Sequence, residues 1–384
     1  MTHFRKRLGG DIIHEVNEWI ALEESQKSGE SQDRSDDDDA GGGSASAASD
    51  PAVQFPAQIE LTNEGELLLD ATCAPADIAY PTDLSLLNQA REKLESIIDT
   101  LHEPERGKSL KPRTYRERAR KAYLAVAKQR RVKPRTMRKA IGKQLRFVAR
   151  DLRIVTELAT TGYLTRLSRR QYKELLVIQE LYRQQQEMYS DGTHSTPDRI
   201  VSISQPHVRP IVRGKAKANV EFGAKLAISV VNGYAFREHL SWDSYNEGNT
   251  LQASVEAYRA RFGFYPKAVL ADQIYRTRDN LRFCKDNGIR LSGPQLGRPS
   301  ADQQQKKKIA RADASARNAV EGKFGEGKRS YGLGRIRAHL QTTSETVIGL
   351  QLLVMNLEKR LRDLFLPFFQ WLLSRLAVRF AMSS

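Results

Sequence analysis

Cysteine is almost missing from this chain of 384 residues: Cys73 and Cys284 are the two present. They are too few for a disulfide framework and lack the Cys-x-x-Cys spacing of a zinc or redox site, so a reducing cytosol is the expected setting. Histidine does not fill the gap. His3, His14, His102, His194, His207, His239 and His339 are scattered without zinc-ligand spacing. Long apolar runs are also lacking. The opening MTHFRKRLGGDI is charged with no apolar core behind it, which excludes a secretory signal there. The most apolar stretch, Leu364 to Phe380, is broken by Pro367, Gln370, Arg375 and Arg379 and is too short to span a membrane. It reads as a packed or oligomer-forming helix, a surface anchor being the lesser alternative, and no membrane partner is expected. No internal repeat is visible.

Positive charge is what the chain has in excess. Its formal net charge is +16 and its pI about 9.8, which points to a polyanionic partner, nucleic acid before membrane. The excess is concentrated. From Leu101 to Arg150 there are 18 Lys and Arg against three Glu. Tyr115, Tyr123, Phe147, Leu124, Val126, Ile141 and Leu145 are interleaved, so the window should fold as helices and not remain a bare basic tail. Arg113, Arg116, Arg120, Arg131, Lys133, Arg135 and Arg138 are its candidate DNA-backbone contacts, indifferent to sequence and weakened by salt.

The length allows a sizeable core and about two domains. Residues 1–27 read as a helical remnant of an N-terminal domain, with Ile12, Ile13, Val16, Trp19 and Ile20 along one side. Residues 28–56, acidic and then rich in Gly, Ala and Ser, read as a disordered linker in which Asp36 to Asp39 are simply solvated. A second domain follows in two parts, 57–100 and 191–340, around a basic helical insertion over 101–190. C-terminal helices occupy 341–384, with Val347, Leu350, Val354, Leu357, Leu361 and Leu364 on one face.

Within that frame QIELTNEGELLLD reads as strand, turn and strand, the second strand ending at Asp70. A loop follows, then a helix capped by Thr82 or Asp83. After the insertion, NVEFGAKLAISVV and YAFREHLSW flank Asn232-Gly233, a strong hairpin signal. Next come a helix over Thr250 to Phe262, the short strand AVLAD ending at Asp272, a helix over Thr277 to Asn287, and the strand IRLSG. A loop then delivers the chain to a late helix carrying Glu321. Without the insertion this order is that of a ribonuclease-H-like α/β domain: a mixed sheet with flanking helices.

Three acids stand out by position. Asp70 and Asp272 end strands, and sites in open α/β sheets form beyond the carboxyl ends of strands. If those strands are neighbours, their ends lie about 5 Å apart, where two carboxylates repel unless cations intervene. Hard divalent ions fit, and a pair of Mg²⁺ would clamp an in-line phosphoryl displacement. Each aspartate can equally be a plain turn or cap residue. Asp77, Asp243 and Glu247 lie near the same edge, as supporting groups or plain surface. Around Glu321, Arg317 is four residues before and Lys328 seven after, nearly one helical face. A carboxylate between two cations suits a metal beside a phosphate, with Lys323 a further DNA contact. Gly322, Gly325 and Gly327 each cost a helix interior about 1 kcal/mol, tolerable if DNA approaches closely or if the helix ends early.

The segments LLLDATCAPADIAYPTDLSLLN, QPHVRPIVRGK, VEFGAKLAISVVNGYAF, AVLADQIYRTRDNLRFCKDNGIRLSGPQLGRP and ARNAVEGKFGEGKRSYGLGRIRAHL resemble a bacterial insertion-sequence transposase of the DDE type, in the IS-five/IS-four-like group. The resemblance runs from about Ile59 to Arg362. It implies a ribonuclease-H-like catalytic domain with Asp70, Asp272 and Glu321 as a catalytic triad that binds two Mg²⁺ or Mn²⁺ ions. It also implies cutting and rejoining of DNA at terminal inverted repeats, insertion into target DNA, a homo-oligomer on DNA, and a cytoplasmic, nucleoid-associated protein. The group's Tyr-x2-Arg-x3-Glu-x6-Lys pattern is matched at Arg317, Glu321 and Lys328, while Ala314 stands at its Tyr position. Relatives begin with a longer helical domain. The alternative expectation is therefore an N-terminally truncated, transposition-defective derivative that binds DNA ends or inhibits a full-length partner. A third is a related nuclease that cleaves without joining.

Overall fold

A computed structural model describes residues 10–32, 63–160, 162–215, 218–293 and 303–381. The expected 28–56 linker beyond Gln32 and the strand before Asn63 lie outside the described residues. Gly65, at φ +72°, turns the chain into strand β1, Glu66–Pro75. Alternation along β1 places Leu67 and Leu69 on one face and Leu68 and Ala74 on the other, each against its own apolar cluster. Such a strand, covered on both sides, belongs at the centre of a sheet.

The sheet forms around it. Strands β2 (Arg209–Lys215), β3 (Ala218–Val231) and β4 (Tyr234–Ser241) precede the short β5 (Ala268–Ala271) and β6 (Arg290–Leu291). β3 pairs antiparallel with β1 along one edge and with β2 and β4 along the other; β5 pairs parallel with β1, and β6 parallel with β5. At mid-sheet the order is thus β4-β3-β1-β5-β6, a mixed sheet of the ribonuclease-H-like kind expected from the element order. The β3–β4 turn is at Asn232 and Gly233, both at positive φ, as the Asn-Gly signal requires.

Helices cover both faces. α1 is Gly10–Gln32; α2 (Asp83–His102), α3 (Arg116–Ala127), α4 (Pro134–Ala159) and α5 (Arg169–Asp191) lie between β1 and β2. α6 (Leu251–Phe262) and α7 (Arg278–Asp286) follow, then α8 (Gln303–Ser330) and α9 (Gln341–Ala381). α2, α4 and α5 bury a core of their own, with Leu87, Leu94, Ile98, Leu145, Val148 and Ile178 among its members. Thr82 caps α2 in a capping box with Ser85. Val320 and Phe324 of α8 and Ile348, Leu352 and Met355 of α9 cover Leu226, Ile228 and Val230. On the opposite face Val255 and Tyr258 of α6 and Cys284 of α7 cover Leu67 and Leu69.

The structure departs from the sequence reading in several places. β1 does not stop at Asp70: Ala71 to Pro75 continue as strand because they pair with Ala227 to Gly223 of β3. β2 is an additional strand, hidden in the sequence because Pro210 and the charges of Arg209 and Arg213 spoil its alternation. α8 starts at Gln303 and runs through all three glycines. Gly327 has a packing reason, because an added Cβ would lie 3.2 Å from both Leu333 and Met355. Along α9 the stripe through Val354, Leu357, Leu361 and Leu364 is the exposed one, and Ile348, Leu352 and Met355 form the buried face. α1 divides similarly, burying Ile13, Ile20 and Ala21 while Ile12, Val16 and Trp19 face outward. No helix among the described residues is long and apolar enough to cross a membrane.

Asn356 joins three of these elements. Fully buried, it donates Nδ2–H to Ala235 O at 2.8 Å and to Asn17 Oδ1 at 2.9 Å, while its Oδ1 accepts from the Ala235 N–H at 2.9 Å. Asn356→Ala is expected to destabilise the fold by about 2–4 kcal/mol in urea unfolding, since it strands buried polar groups on α1 and β4. A loss under about 0.5 kcal/mol would contradict that accounting.

Candidate active site

The parallel ladder between β1 and β5 ends with Leu69 opposite Ala271. Asp70 and Asp272 are the next residues in line, so the two acids stand side by side where β5 stops. Strand spacing separates their backbones by about 5 Å. Side-chain alternation puts Asp70 on the face of Leu68 and Ala74, which is the face α8 covers. Asp272 opens a short 3-10 turn over Gln273–Tyr275 and is more exposed. Asp70 is half-buried and accepts one hydrogen bond, from the Ala71 N–H to Oδ1 at 2.8 Å. Burial pushes its carboxyl up to about 6. The Ala71 bond pulls the other way, the charges of Glu247 and Asp272 add to the rise, and Arg317 opposes it. Burial, more than the neighbouring charges, is what raises it.

α8 supplies the remaining groups. Arg317 Nη2 donates to Asp272 Oδ1 at 2.7 Å and lies 3.9 Å from Glu321 Oε1. One guanidinium thus links Asp272 with Glu321, and through Asp272 reaches the neighbourhood of Asp70. Arg317, Glu321, Gly325 and Lys328 share one helical stripe. At Gly325, as at Gly322, an added Cβ would meet nothing within 4 Å, so the stripe has an open gap between Glu321 and Lys328. Lys328 lines a cavity of about 590 Å³ with Gly332, Gly334, Arg335 and Arg337. Lys323 is not part of this group. It is 8% exposed and faces α9, with Nζ 3.8 Å from Glu326 Oε2. Burial pushes its pKa down, and Arg362 and Lys359 add to the fall while Glu326 opposes it. The expectation that Lys323 is an open DNA contact is corrected by that burial.

Of the three nearby acids, Glu247 is the one brought to the site. Its Oε1 is 2.9 Å from Nζ of Lys225, a buried lysine that also donates to Tyr245 O at 2.7 Å. Asp77 pairs instead with Arg335 at 2.6 Å, and the exposed Asp243 lies 3.8 Å from Arg209. Two groups that sequence reasoning missed hold the turn after Asp272. Asn280 Nδ2 donates to Tyr275 O at 2.8 Å and to Gly248 O at 2.6 Å. Gly248 itself admits no Cβ, which would fall 2.8 Å from Ile274 O. Only the Asn at the start of a helix gave any hint of this in the sequence.

The basic helices carry their charges outward. Arg113, Arg120, Arg131, Lys133, Arg135 and Arg138 are exposed, while Arg116 is half-buried and donates to Asp99 at 2.7 and 3.2 Å. Arg113 and Arg118 border a cavity of about 640 Å³ with Lys111, Tyr115 and Lys121. Arg138 stacks 4.4 Å over the Tyr189 ring and donates to Tyr189 O.

Asp70, Asp272 and Glu321 would offer oxygen donors alone, which is the chemistry of hard divalent cations. Among the described residues no three of His, Cys, Asp and Glu already stand close enough together to hold an ion. The cation present between two of the acids is the Arg317 guanidinium.

Residues 269–358 match the family model described as a transposase DDE domain. The match begins inside β5 and takes in Asp272, Arg317, Glu321 and Lys328; Asp70 lies before it. It supports a DDE domain of the transposase kind over that part of the chain. No curated protein and no solved structure matches the chain.

The raised carboxyl of Asp70 carries a stability cost that can be measured. Its folded-state value of about 6 exceeds the ordinary 3.8, so between those pH values the folded state holds a proton that the unfolded chain has released. Stability therefore falls as pH rises from about 4 to about 6. In metal-free buffer Asp70→Asn is expected to stabilise the protein by about 1–3 kcal/mol at pH 7 and by much less near pH 4. An equal effect at both pH values in urea unfolding would contradict the assignment.

Proposed function

We propose that the protein is a transposase of the IS-five/IS-four-like group that cleaves and rejoins DNA at the terminal inverted repeats of an insertion sequence. Asp70, Asp272 and Glu321 are its catalytic acids and metal ligands. The observation that carries this reading is the meeting of the β1 and β5 ends, with Glu321 joined to Asp272 through Arg317. Two acids on adjacent strands and a third on a covering helix fit metal-dependent phosphoryl transfer. Asp70 does accept from the neighbouring Ala71 N–H, but Asp272, at the head of its turn, makes no side-chain capping bond and engages Arg317 instead.

Mg²⁺ or Mn²⁺, two ions in the full assembly, would activate the attacking water or 3′-hydroxyl and stabilise the leaving oxygen. The protein's own part is positional. Arg317 and Lys328 hold phosphates on either side of Glu321, and the Gly325 gap gives the DNA backbone room to approach α8 between them. The short turn that Asn280 pins fixes Asp272 against Asp70. Helices α3 to α5, within the 101–190 insertion, bind DNA, and the exposed row of Arg113, Arg120, Arg131, Lys133, Arg135 and Arg138 binds backbone phosphates without reading sequence. The exposed apolar end of α9, with Leu361, Leu364, Phe365 and Phe368, favours a homo-oligomer on DNA. Binding of this kind keeps the protein at the nucleoid.

The test uses the purified chain, Mn²⁺ and labelled terminal-repeat DNA. Asp70→Asn, Asp272→Asn and Glu321→Gln are each expected to lower nicking and strand transfer at least about 1000-fold while leaving DNA affinity within a few-fold. Near-normal cleavage by any one of them would remove that acid from the triad. Cleavage by the unaltered chain with no joining to target DNA would reduce the activity to that of a nuclease. Arg120→Glu, Arg131→Glu and Arg135→Glu together should weaken binding and flatten its dependence on salt, because fewer phosphates are then neutralised by the protein. An unchanged slope would place the DNA elsewhere.

A further inference from the structure

We infer that Arg317 is a built-in counterion of the acidic site, which positions Asp272 against Glu321 in the metal-free protein and which a divalent cation must displace in order to bind there. The inference rests on the metal-binding reading of the three acids proposed above. Its grounds are geometric. A single nitrogen, Nη2, makes both contacts, at 2.7 Å to Asp272 Oδ1 and 3.9 Å to Glu321 Oε1. Within α8 the pair has the less favourable order, with the cation four residues before the acid, so helix pairing alone gives no reason for it. The shorter contact, to Asp272 on another element, is what fixes the guanidinium.

Exposure shows which partner is anchored. The Arg317 side chain is 23% exposed, against 56% for Asp272 and 60% for Glu321. The carboxylates remain open to solvent while the arginine reaches them from beneath. Its Nε is buried without a hydrogen-bond partner among the described residues, so the bond from Nη2 to Asp272 is what holds the guanidinium in place. Without it, three acids would crowd one sheet edge with Glu247 behind them, and Lys225 is already engaged by Glu247. A divalent ion ligated by Asp272 at about 2.1 Å would contend with Nη2 for the same oxygen. The guanidinium cannot be neutralised by losing a proton, so it must move. Once released it is a free cation beside the site, available to a phosphate.

Mn²⁺ binding to the full-length protein, followed by electron paramagnetic resonance of free Mn²⁺ without DNA, tests this. Arg317→Gln is expected to bind Mn²⁺ about fivefold more tightly than the unaltered chain, the factor given by an ion pair of about 1 kcal/mol. Arg317→Lys should stay near the unaltered affinity. In the absence of metal Arg317→Gln should melt at a lower temperature, and saturating Mn²⁺ should close that gap. Equal or weaker Mn²⁺ binding by Arg317→Gln, with the binding still lost in Asp272→Asn, would overturn the counterion role and leave the metal reading standing. Mn²⁺ binding that Asp272→Asn does not impair, or no binding by either the unaltered chain or Arg317→Gln, would overturn both. Binding by Arg317→Gln alone would support the inference in its strongest form.

Discussion

Where the ladder between β1 and β5 stops determines the character of the site. Pairing ends at Leu69 and Ala271, and the next residue on each strand is an aspartate. Backbone hydrogen bonding thus forces two carboxylates together at a sheet edge, against their mutual repulsion and, for Asp70, against burial. Such an arrangement is unfavourable in itself and persists because the whole sheet holds it. β3 pairs with β1 for eight consecutive residues on the far side, from Leu68 to Pro75, and apolar clusters press on both faces. Burial first, and then the charges of Glu247 and Asp272, disfavour an ionised Asp70, and a cation beside it would relieve that.

Three cations answer that need at different depths. Lys225, buried in the sheet, neutralises Glu247. Arg317, rising from α8, engages Asp272 and approaches Glu321. A divalent ion, in the proposed function, completes the set at the open side. The helix that supplies Arg317 and Glu321 is fixed by Val320 and Phe324, which fall between and beyond them on its buried face. Packing, charge and chemistry are therefore carried by one short stretch of α8. The glycine at 325 keeps its outer stripe clear, whereas the glycine at 327 serves the contact with Leu333 and Met355.

Much of this was legible in the sequence. Asp272 could be picked out as an acid at the end of an apolar strand and Glu321 by its spacing from Arg317 and Lys328, whereas Asp70 was picked out as a strand end and lies within β1. The hairpin at Asn232-Gly233 and the cap at Thr82 follow from local chemistry and are present. What local pattern could not give was set by partners distant in sequence. β1 extends past Asp70 only because β3 is there to pair with it. Lys323 looks like any surface lysine until α9 covers it, and Asn280 gains its meaning from two carbonyls on separate turns. The outward face of α9 was equally opaque, because both of its faces carry aliphatic residues and only packing selects one.

In the proposed function Asp70, Asp272 and Glu321 converge on a divalent cation. Anomalous diffraction from crystals soaked in Mn²⁺ addresses it most directly. An anomalous peak is expected within about 2.5 Å of carboxylate oxygens from both Asp70 and Asp272, with Glu321 turned toward it and Arg317 withdrawn. A crystal at saturating Mn²⁺ with no peak there, and Arg317 still on Asp272, would contradict it.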